Sequence, residues 1–360
     1  MKIYLLGIHE KNLDFLSDKG NPVMYERKVE LLTMKCRIDT FDPQKWERFK
    51  KKNNKHEYIY TSSKRNQNIC NVVPVSRSYF KLHEMILDFN LLKNDINCAC
   101  IAEGPGGFIH CLNDHVYNGV KINKIYGITL ISKKDRKIPY WNQSILLNPI
   151  NMISSGKDGT GDLYDHENVM DFIERINLDH CHLVTADGGF DYSDDYNSQE
   201  MSSYKLLFSE IYTTLHIQKM DGNFILKVFD LFHYKTIQLL YLLYNHYSTI
   251  EIYKPSTSRL SNSEKYIICK GFLGCEKSCK DGLTKYFKNC EDLHITVPQS
   301  FIDEINKYND IYVGNQINTI NTILSYTTTY NKPSSEQITI ATKWCELYKL
   351  KINPRCIYLN

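Results

Sequence analysis

The sequence predicts an α/β protein built on a mainly parallel sheet, and three observations carry that prediction. Short apolar runs alternate with longer amphipathic stretches, as expected for strands joined by crossover helices. One run, Cys98 to Ala102, leads into a turn containing Gly104, Gly106 and Gly107, and helical spacing then resumes through Phe108, Ile109, Leu112 and Val116. Strand, glycine-rich turn and helix form the first unit of a doubly wound fold. The last two apolar runs, Thr249 to Lys254 and Lys265 to Lys270, are joined by a polar loop with no helix, which predicts an antiparallel hairpin at the sheet edge.

The elements follow in chain order. Residues 1–71 read as an N-terminal extension with a strand or two and a basic stretch, Lys45 to Lys55, whose interleaved aromatics mark a candidate RNA-facing side. Val75 to Lys93 reads as a helix with Ser76 as N-cap, an apolar stripe of Phe80, Met85, Ile86, Phe89 and Leu92, and Lys81, Glu84 and Asp88 on the polar side. Strands are expected at 98–102, 124–130, 181–186 and 223–229, with helices at 199–219 and 231–247. These elements define a core domain over residues 72–272. Residues 273–360 form a mostly helical appendage with a closing helix near Glu336 to Lys349, where Ile340, Trp344, Leu347 and Tyr348 share a side.

The 360 residues, 42% of them hydrophobic, suffice for one large domain with additions or for two domains. The net charge of +3 creates no global basic field, so any grip on nucleic acid must be local. No apolar run approaches the roughly 20 residues of a membrane span, and no membrane partner is expected. Met1 to Glu10 reads as a strand, not a signal segment, so the expected location is the cytoplasm, or the host cytoplasm or virion for a viral protein. The 12 cysteines are scattered, so reduced thiols are the expectation. The spacing Cys275-x3-Cys279-x10-Cys290-x3-His294 matches four zinc ligands in residue type, but it lacks a CxxC knuckle. Free thiols and no metal are the reading carried forward.

The glycine-rich turn lacks the Gly-Lys-Ser/Thr ending of a phosphate-gripping loop and does not match Gly-x-Gly-x-x-Gly. Glu103 beside it suits a neutral or cationic ligand better than a pyrophosphate. Four charged residues stand where apolar or neutral ones are expected. Asp187 ends a buried-type strand, Lys227 interrupts another, Glu264 opens the last, and Lys81 lies on the helix before the first. Each has a structural explanation: Lys81 pairing with Glu84, Asp187 stabilising its Asp-Gly-Gly turn, Lys227 snorkelling, Glu264 meeting a surface lysine. Only Lys227 resists such an account alone, because an unpaired buried charge is costly.

With their flanking segments, the four resemble the Lys-Asp-Lys-Glu tetrad of FtsJ-like 2′-O-ribose RNA methyltransferases. The segments are Ser76-Arg77-Ser78-Tyr79-Phe80-Lys81-Leu82, Ala102-Glu103-Gly104-Pro105-Gly106-Gly107-Phe108, Ala186-Asp187-Gly188-Gly189-Phe190, Lys227-Val228-Phe229-Asp230-Leu231-Phe232, and Lys254 to Arg259 followed by Asn262 to Tyr266. The later segments, with Asp195 to Glu200, look most like cap-specific mRNA (nucleoside-2′-O)-methyltransferases of eukaryotes and large DNA viruses. The resemblance implies a Rossmann-like S-adenosylmethionine-dependent fold with a seven-stranded, mainly parallel sheet and an antiparallel edge hairpin. It implies Lys81, Asp187, Lys227 and Glu264 as catalytic residues, and S-adenosylmethionine held by Glu103, Gly104, Pro105, Gly106, Gly107, Phe108, Asp162 and Asp187, with Asp162 toward adenine. The second strand ends Gly127-Ile128-Thr129-Leu130, without the acidic residue that often holds the cofactor ribose, so Glu103 or a backbone group is the expected substitute.

On this reading the partner is a capped mRNA or another RNA 5′ end, with transcription or capping machinery as a further partner. Arg77, Lys254, Arg259 and Lys265 are candidate phosphate contacts, and Asn197 and Asn262 candidate sugar or base contacts. Asn53 to Tyr58 resembles a cap-side substrate segment, and Trp46, Tyr58 and Tyr60 are candidate cap-stacking rings, each with a packing role as the simpler account. Lys227 would either accept the 2′-hydroxyl proton or, kept charged, hold an oxygen lone pair toward the methyl group. Ribosomal- or transfer-RNA methylation, and a non-catalytic RNA-binding or polymerase-associated subunit, are the alternatives.

Overall fold

The protein is described from a computed structural model covering residues 3–7, 25–132, 135, 137–189, 199–289, 292–328 and 332–359. Its strands are β1 (Ile3–Leu5), β2 (Ile96–Ile101), β3 (Ile122–Ile128), β4 (Asn151–Ser154), β5 (Cys181–Ala186), β6 (Gln218–Val228), β7 (Tyr247–Tyr253) and β8 (Lys265–Phe272). The helices are α1 (Tyr25–Asp39), α2 (Pro43–Asn53), α3 (Ser78–Phe89), α4 (Gly107–Tyr117), α5 (Gln143–Leu146), α6 (His166–Ile176), α7 (Gln199–Ile217), α8 (Tyr234–His246), α9 (Lys277–Asn289), α10 (Gln299–Leu324) and α11 (Ser335–Leu347).

The strands form one sheet in the order β1-β7-β8-β6-β5-β2-β3-β4. β4, β3, β2, β5 and β6 run parallel, and β8 is antiparallel to both β6 and β7. The seven core strands thus form the mixed sheet expected. The antiparallel pair lies at the expected end, but β8 inserts between β6 and β7, and β1 adds an eighth strand on the outside of β7. That insertion is a long-range pairing that local sequence does not encode.

Period-two alternation feeds two apolar layers. Ala99 and Ile101 of β2, Val184 of β5, and Phe224 and Leu226 of β6 join one core with α6, α7, α8, α9 and α10. Cys98 and Cys100 of β2, Leu183 of β5 and Ile225 of β6 join the other, with α3, α4, α5 and α11. Both faces being covered, the parallel strands read as continuous apolar runs.

Three expectations need correction. The predicted helix over 75–93 is shorter: it starts at Ser78 after Arg77, and Asn90 in the left-handed region (φ 51°) ends it. Ser76 does not cap it; its hydroxyl hydrogen-bonds the Ser78 hydroxyl. The N-terminal extension is mainly helical among the described residues, with one short strand. Asp42 caps α2, its carboxylate accepting from Lys45 N at 2.7 Å, and Pro43 fits the first turn. The 26-residue α10 went unforeseen, although Phe301, Ile305, Val313, Ile317 and Ile320 are buried along one side. The two extensions pack together: α1 and α2 contact α10, and α11 contacts residues 57–59.

Candidate active site

The sheet brings the four charged residues to one place. Asp187 directly follows β5, and its N–H donates to Ile101 O at 3.3 Å, which sets it beside the glycine-rich turn after β2. Lys227 pairs in register with Tyr266 of β8. Two residues beyond Ile225, it faces the α3 layer, and Lys81 arrives there on the first turn of α3. Glu264 precedes β8 directly.

Lys81 Nζ lies 2.7 Å from Glu264 Oε2, and the Ser258 hydroxyl donates to Glu264 Oε1 at 2.8 Å. Lys227 Nζ donates to Asp187 O at 2.6 Å and lies 3.3 Å from Asp187 Oδ1. The Tyr266 hydroxyl donates to the same Oδ1 at 2.8 Å. A Cβ on Gly189 would sit 3.1 Å from Lys227 Nζ, so the lysine end packs closely over this glycine. The surface-pair account of Lys81 fails, because its partner is Glu264. Glu84 is instead buried and accepts from Ser256 N at 2.5 Å and Thr257 N at 3.2 Å, fastening the 255–259 loop to α3.

Burial alone would raise the Glu264 pKa, but Lys81 and Lys227 outweigh it and bring it to about 2. Burial would likewise lower Lys227, yet Asp187, Glu264 and Glu210 together raise it above the ordinary lysine value. Lys227 is therefore an ammonium in the free protein. Sequence reasoning missed Glu210 and Tyr266. Glu210, fully buried on α7, accepts from Gly188 N at 3.2 Å, and burial lifts its pKa to about 8 against the pull of Lys227. Tyr266 was visible as a polar aromatic two positions after Glu264; nothing local distinguished Glu210 from a surface helix carboxylate.

On the cofactor side, Glu103 is turned under α4 and accepts from Phe108 N at 2.7 Å. Burial pushes its pKa well up. The carboxylate thereby organises the turn. Gly104, Pro105, Gly106, Gly107 and Phe108 form that turn and the start of α4. Gly106 has φ of +107°, and a Cβ on Gly107 would lie 2.1 Å from Ser76 Oγ. Thr129, at the end of β3, accepts from Gly104 N at 3.0 Å, and a Cβ on Gly161 would lie 2.0 Å from Thr129 O. Asp162 therefore sits beside the same strand end, its Oδ1 accepting from Tyr164 N at 2.9 Å. A glycine-lined turn without lysine or arginine, flanked by the carboxylates of Asp162 and Asp187, fits a cationic nucleoside such as S-adenosylmethionine better than a polyphosphate.

Among the residues expected to contact substrate, Arg77 and Arg259 share one buried carboxylate, Glu57, at 3.5 and 3.2 Å. They hold the Glu57 pKa below the usual range despite its burial. Two guanidiniums on one carboxylate leave a net positive charge on this group of three. Lys265 is corrected as a phosphate contact: it is buried, donates to Ser263 O at 3.0 Å, and burial pulls its pKa to about 8. Lys254 donates to Asn262 O, Asn262 Oδ1 and Glu264 O at 2.8, 2.8 and 2.6 Å, so it braces the loop. Asn262 is exposed, and Asn197 lies outside the described residues. Tyr58 is buried edge-on to Tyr358 and Tyr60 packs on Phe80, which assigns both to packing. Trp46 carries Lys50 above its ring. A cleft of about 510 Å³ opens beside Lys254 and Asn262, lined also by Asn54, His56, Tyr312 and Gln316.

A doubly wound sheet with a cationic-nucleoside turn and a half-buried Lys-Asp-Lys-Glu cluster at its strand ends defines a Rossmann-like methyltransferase. The profile of FtsJ-like methyltransferases matches residues 74–272, and the chain belongs to that family, whose methyl donor is S-adenosylmethionine. Cap-specific mRNA (nucleoside-2′-O-)-methyltransferase 1 of Dictyostelium discoideum is 31% identical over 264 residues, 69% of this chain and 35% of its own length. The Xenopus laevis protein of the same name is 38% identical over 180 residues, 48% of this chain and 21% of its own. The Homo sapiens protein is 31% identical over 263 residues, 67% of this chain and 31% of its own. The chain thus spans about a third or less of these relatives.

Proposed function

We propose that the chain is a cap-specific mRNA 2′-O-ribose methyltransferase that methylates the 2′-hydroxyl of a cap-proximal nucleotide. The observation that carries the chemistry is the convergence of Lys81, Asp187, Lys227 and Glu264 beside the glycine-lined turn. The cap assignment is supported by the names of the relatives. Gly104 to Phe108, Asp162 and Asp187 would hold S-adenosylmethionine, which supplies an electrophilic methyl group on a sulfonium. Lys227, charged in the free protein, has two acceptors on Asp187 and a further N–H to offer the ribose. Donating to the 2′-oxygen, it orients the remaining lone pair along the line of attack. Alignment of this kind is worth up to about 7–11 kcal/mol of barrier in favourable systems. The hydroxyl grows acidic as its oxygen bonds carbon, and Asp187 and Glu264 stand in the cluster as acceptors for its proton. Arg77, Arg259 and Asn262 border the side from which RNA would approach, with the adjoining cleft receiving the 5′ end.

The test is transfer of tritiated methyl from S-adenosylmethionine to short RNAs with and without a guanosine cap. The expected result is labelling of capped RNA, lost by roughly 10²–10⁴-fold in Lys227→Ala while cofactor binding persists. Equal labelling of uncapped RNA would assign the enzyme to ribosomal or transfer RNA instead. No labelling of any RNA by the wild type would leave the non-catalytic subunit.

A further inference from the structure

Among the described residues, His294 does not join the two cysteines whose spacing suggested zinc. Cys290 lies outside the described residues, and the His294 ring packs edge-on to Tyr286 at 6.4 Å. Cys275 and Cys279 converge instead on a residue far from them in sequence, His246, the last residue of α8. The three ligand atoms lie within 4.8 Å of one another, with His246 Nε2 and Cys279 Sγ 3.7 Å apart.

The imidazole is prepared for a metal. His246 Nδ1 lies 2.8 Å from Leu242 O, a partner that can only accept. The proton is therefore on Nδ1, and the Nε2 lone pair faces the thiols. A backbone carbonyl holding the far ring nitrogen is the usual support of a metal-bound histidine. The spacing fits as well. Zinc bonds of about 2.05 Å to nitrogen and 2.3 Å to sulfur, at a tetrahedral angle, separate the two ligand atoms by about 3.6 Å. Two thiolates and an imidazole select zinc over magnesium or calcium, which demand oxygen.

We propose that His246, Cys275 and Cys279 bind a zinc ion that fastens the C-terminal appendage to the methyltransferase core. His246 belongs to the core, whereas Cys279 lies on the first turn of α9, which turns Leu283 and Phe287 into the core shared with α7. Among the described residues the cluster has three ligands, and half-buried Cys275 marks the side from which solvent supplies the fourth. Binding removes one proton from each thiol and leaves the metal's oxidation state unchanged. A second cluster, His83, Cys111 and His115, carries no such proposal. It offers one thiol, and its two imidazoles already meet each other at 3.2 Å.

The experiment uses the full chain, freed of metal by a chelator and kept reduced with a phosphine. Zinc chloride is titrated against a chromogenic chelator, and cobalt(II) is added in parallel as a spectroscopic probe. The expected result is one tight equivalent of zinc, a cobalt spectrum with thiolate-to-metal charge transfer and tetrahedral bands, and an unfolding midpoint that rises by several degrees with zinc. Cys275→Ser, at a half-buried position, should cut the charge-transfer absorbance by about half or more, since only the Cys279 thiolate remains. His246→Gln, which keeps both thiols, should weaken zinc binding by roughly tenfold or more. Absence of stoichiometric uptake by the wild type overturns the proposal. So does uptake that both variants retain.

Discussion

Replacing Glu264 by glutamine removes one charge from the cluster and little volume. The carboxylate has a pKa of about 2 in the folded protein against 4.5 for an ordinary glutamate, a difference of about 2.5 pH units. At about 1.36 kcal/mol per pH unit, its ionised form contributes on the order of 3 kcal/mol to folding. Because the folded value is depressed, this contribution is fully present above about pH 4.5 and disappears as the pH falls through about 2. Urea unfolding followed by circular dichroism, for wild type and Glu264→Gln across that range, reads it directly. The gap between the proteins should be on the order of 3 kcal/mol near neutral pH and should close toward pH 2. A gap of the same size at every pH would show that packing or the Ser258 hydrogen bond, not charge, holds Glu264, and the electrostatic account of the cluster would fall.

Glu210 gives the opposite sign. Its folded pKa of about 8 exceeds the ordinary value, so wild-type stability falls as pH rises from about 4.5 through 8. Glu210→Gln should be neutral near pH 4.5 and stabilising by several kcal/mol near pH 9 in the same unfolding assay. Asp230 is buried, with Lys35 Nζ at 3.0 Å and Lys265 also lowering its pKa. Asp230→Asn strands two buried ammonium groups and should cost about 3–5 kcal/mol, more than Lys35→Met, which leaves Lys265 as counter-charge. Gly161→Ala combines a positive φ of +64° with a Cβ 2.0 Å from a backbone oxygen. It should cost about 2–4 kcal/mol and weaken cofactor binding by calorimetry, since it pushes Asp162 off the strand end. If Arg77 meets an RNA phosphate, Arg77→Ala should lower the salt slope of single-stranded RNA binding by about 0.7; an unchanged slope would confine Arg77 to Glu57.

What the sequence revealed, and what it hid, follows from how far each interaction reaches. Buried parallel strands are apolar on both sides, so Cys98 to Ile101 and Cys181 to Ala186 were readable from composition alone, as were the charges that break the pattern at Asp187 and Lys227. Helix ends were less readable, because Ser76 has the chemistry of a cap but bonds Ser78 instead. α10 was hidden by its polar content: Asn309 and Gln316 occupy buried positions on the stripe that Phe301 and Ile305 begin, bonding to Leu231 O and Ser261 O. Lys265 was a candidate phosphate contact in the sequence, where its burial near Asp230 was not visible. Arg77 and Arg259, 182 positions apart, meet only through Glu57 in the N-terminal extension. The same reach explains why the site stays together. Glu57 clamps the loop after β7 to Arg77, Glu84 clamps it to α3, and Lys254 clamps it to Glu264. The residues proposed to meet RNA are thus held by carboxylates and amines of the surrounding loop and helix, and a substitution at Glu57 or Glu84 should disturb catalysis by displacing Glu264.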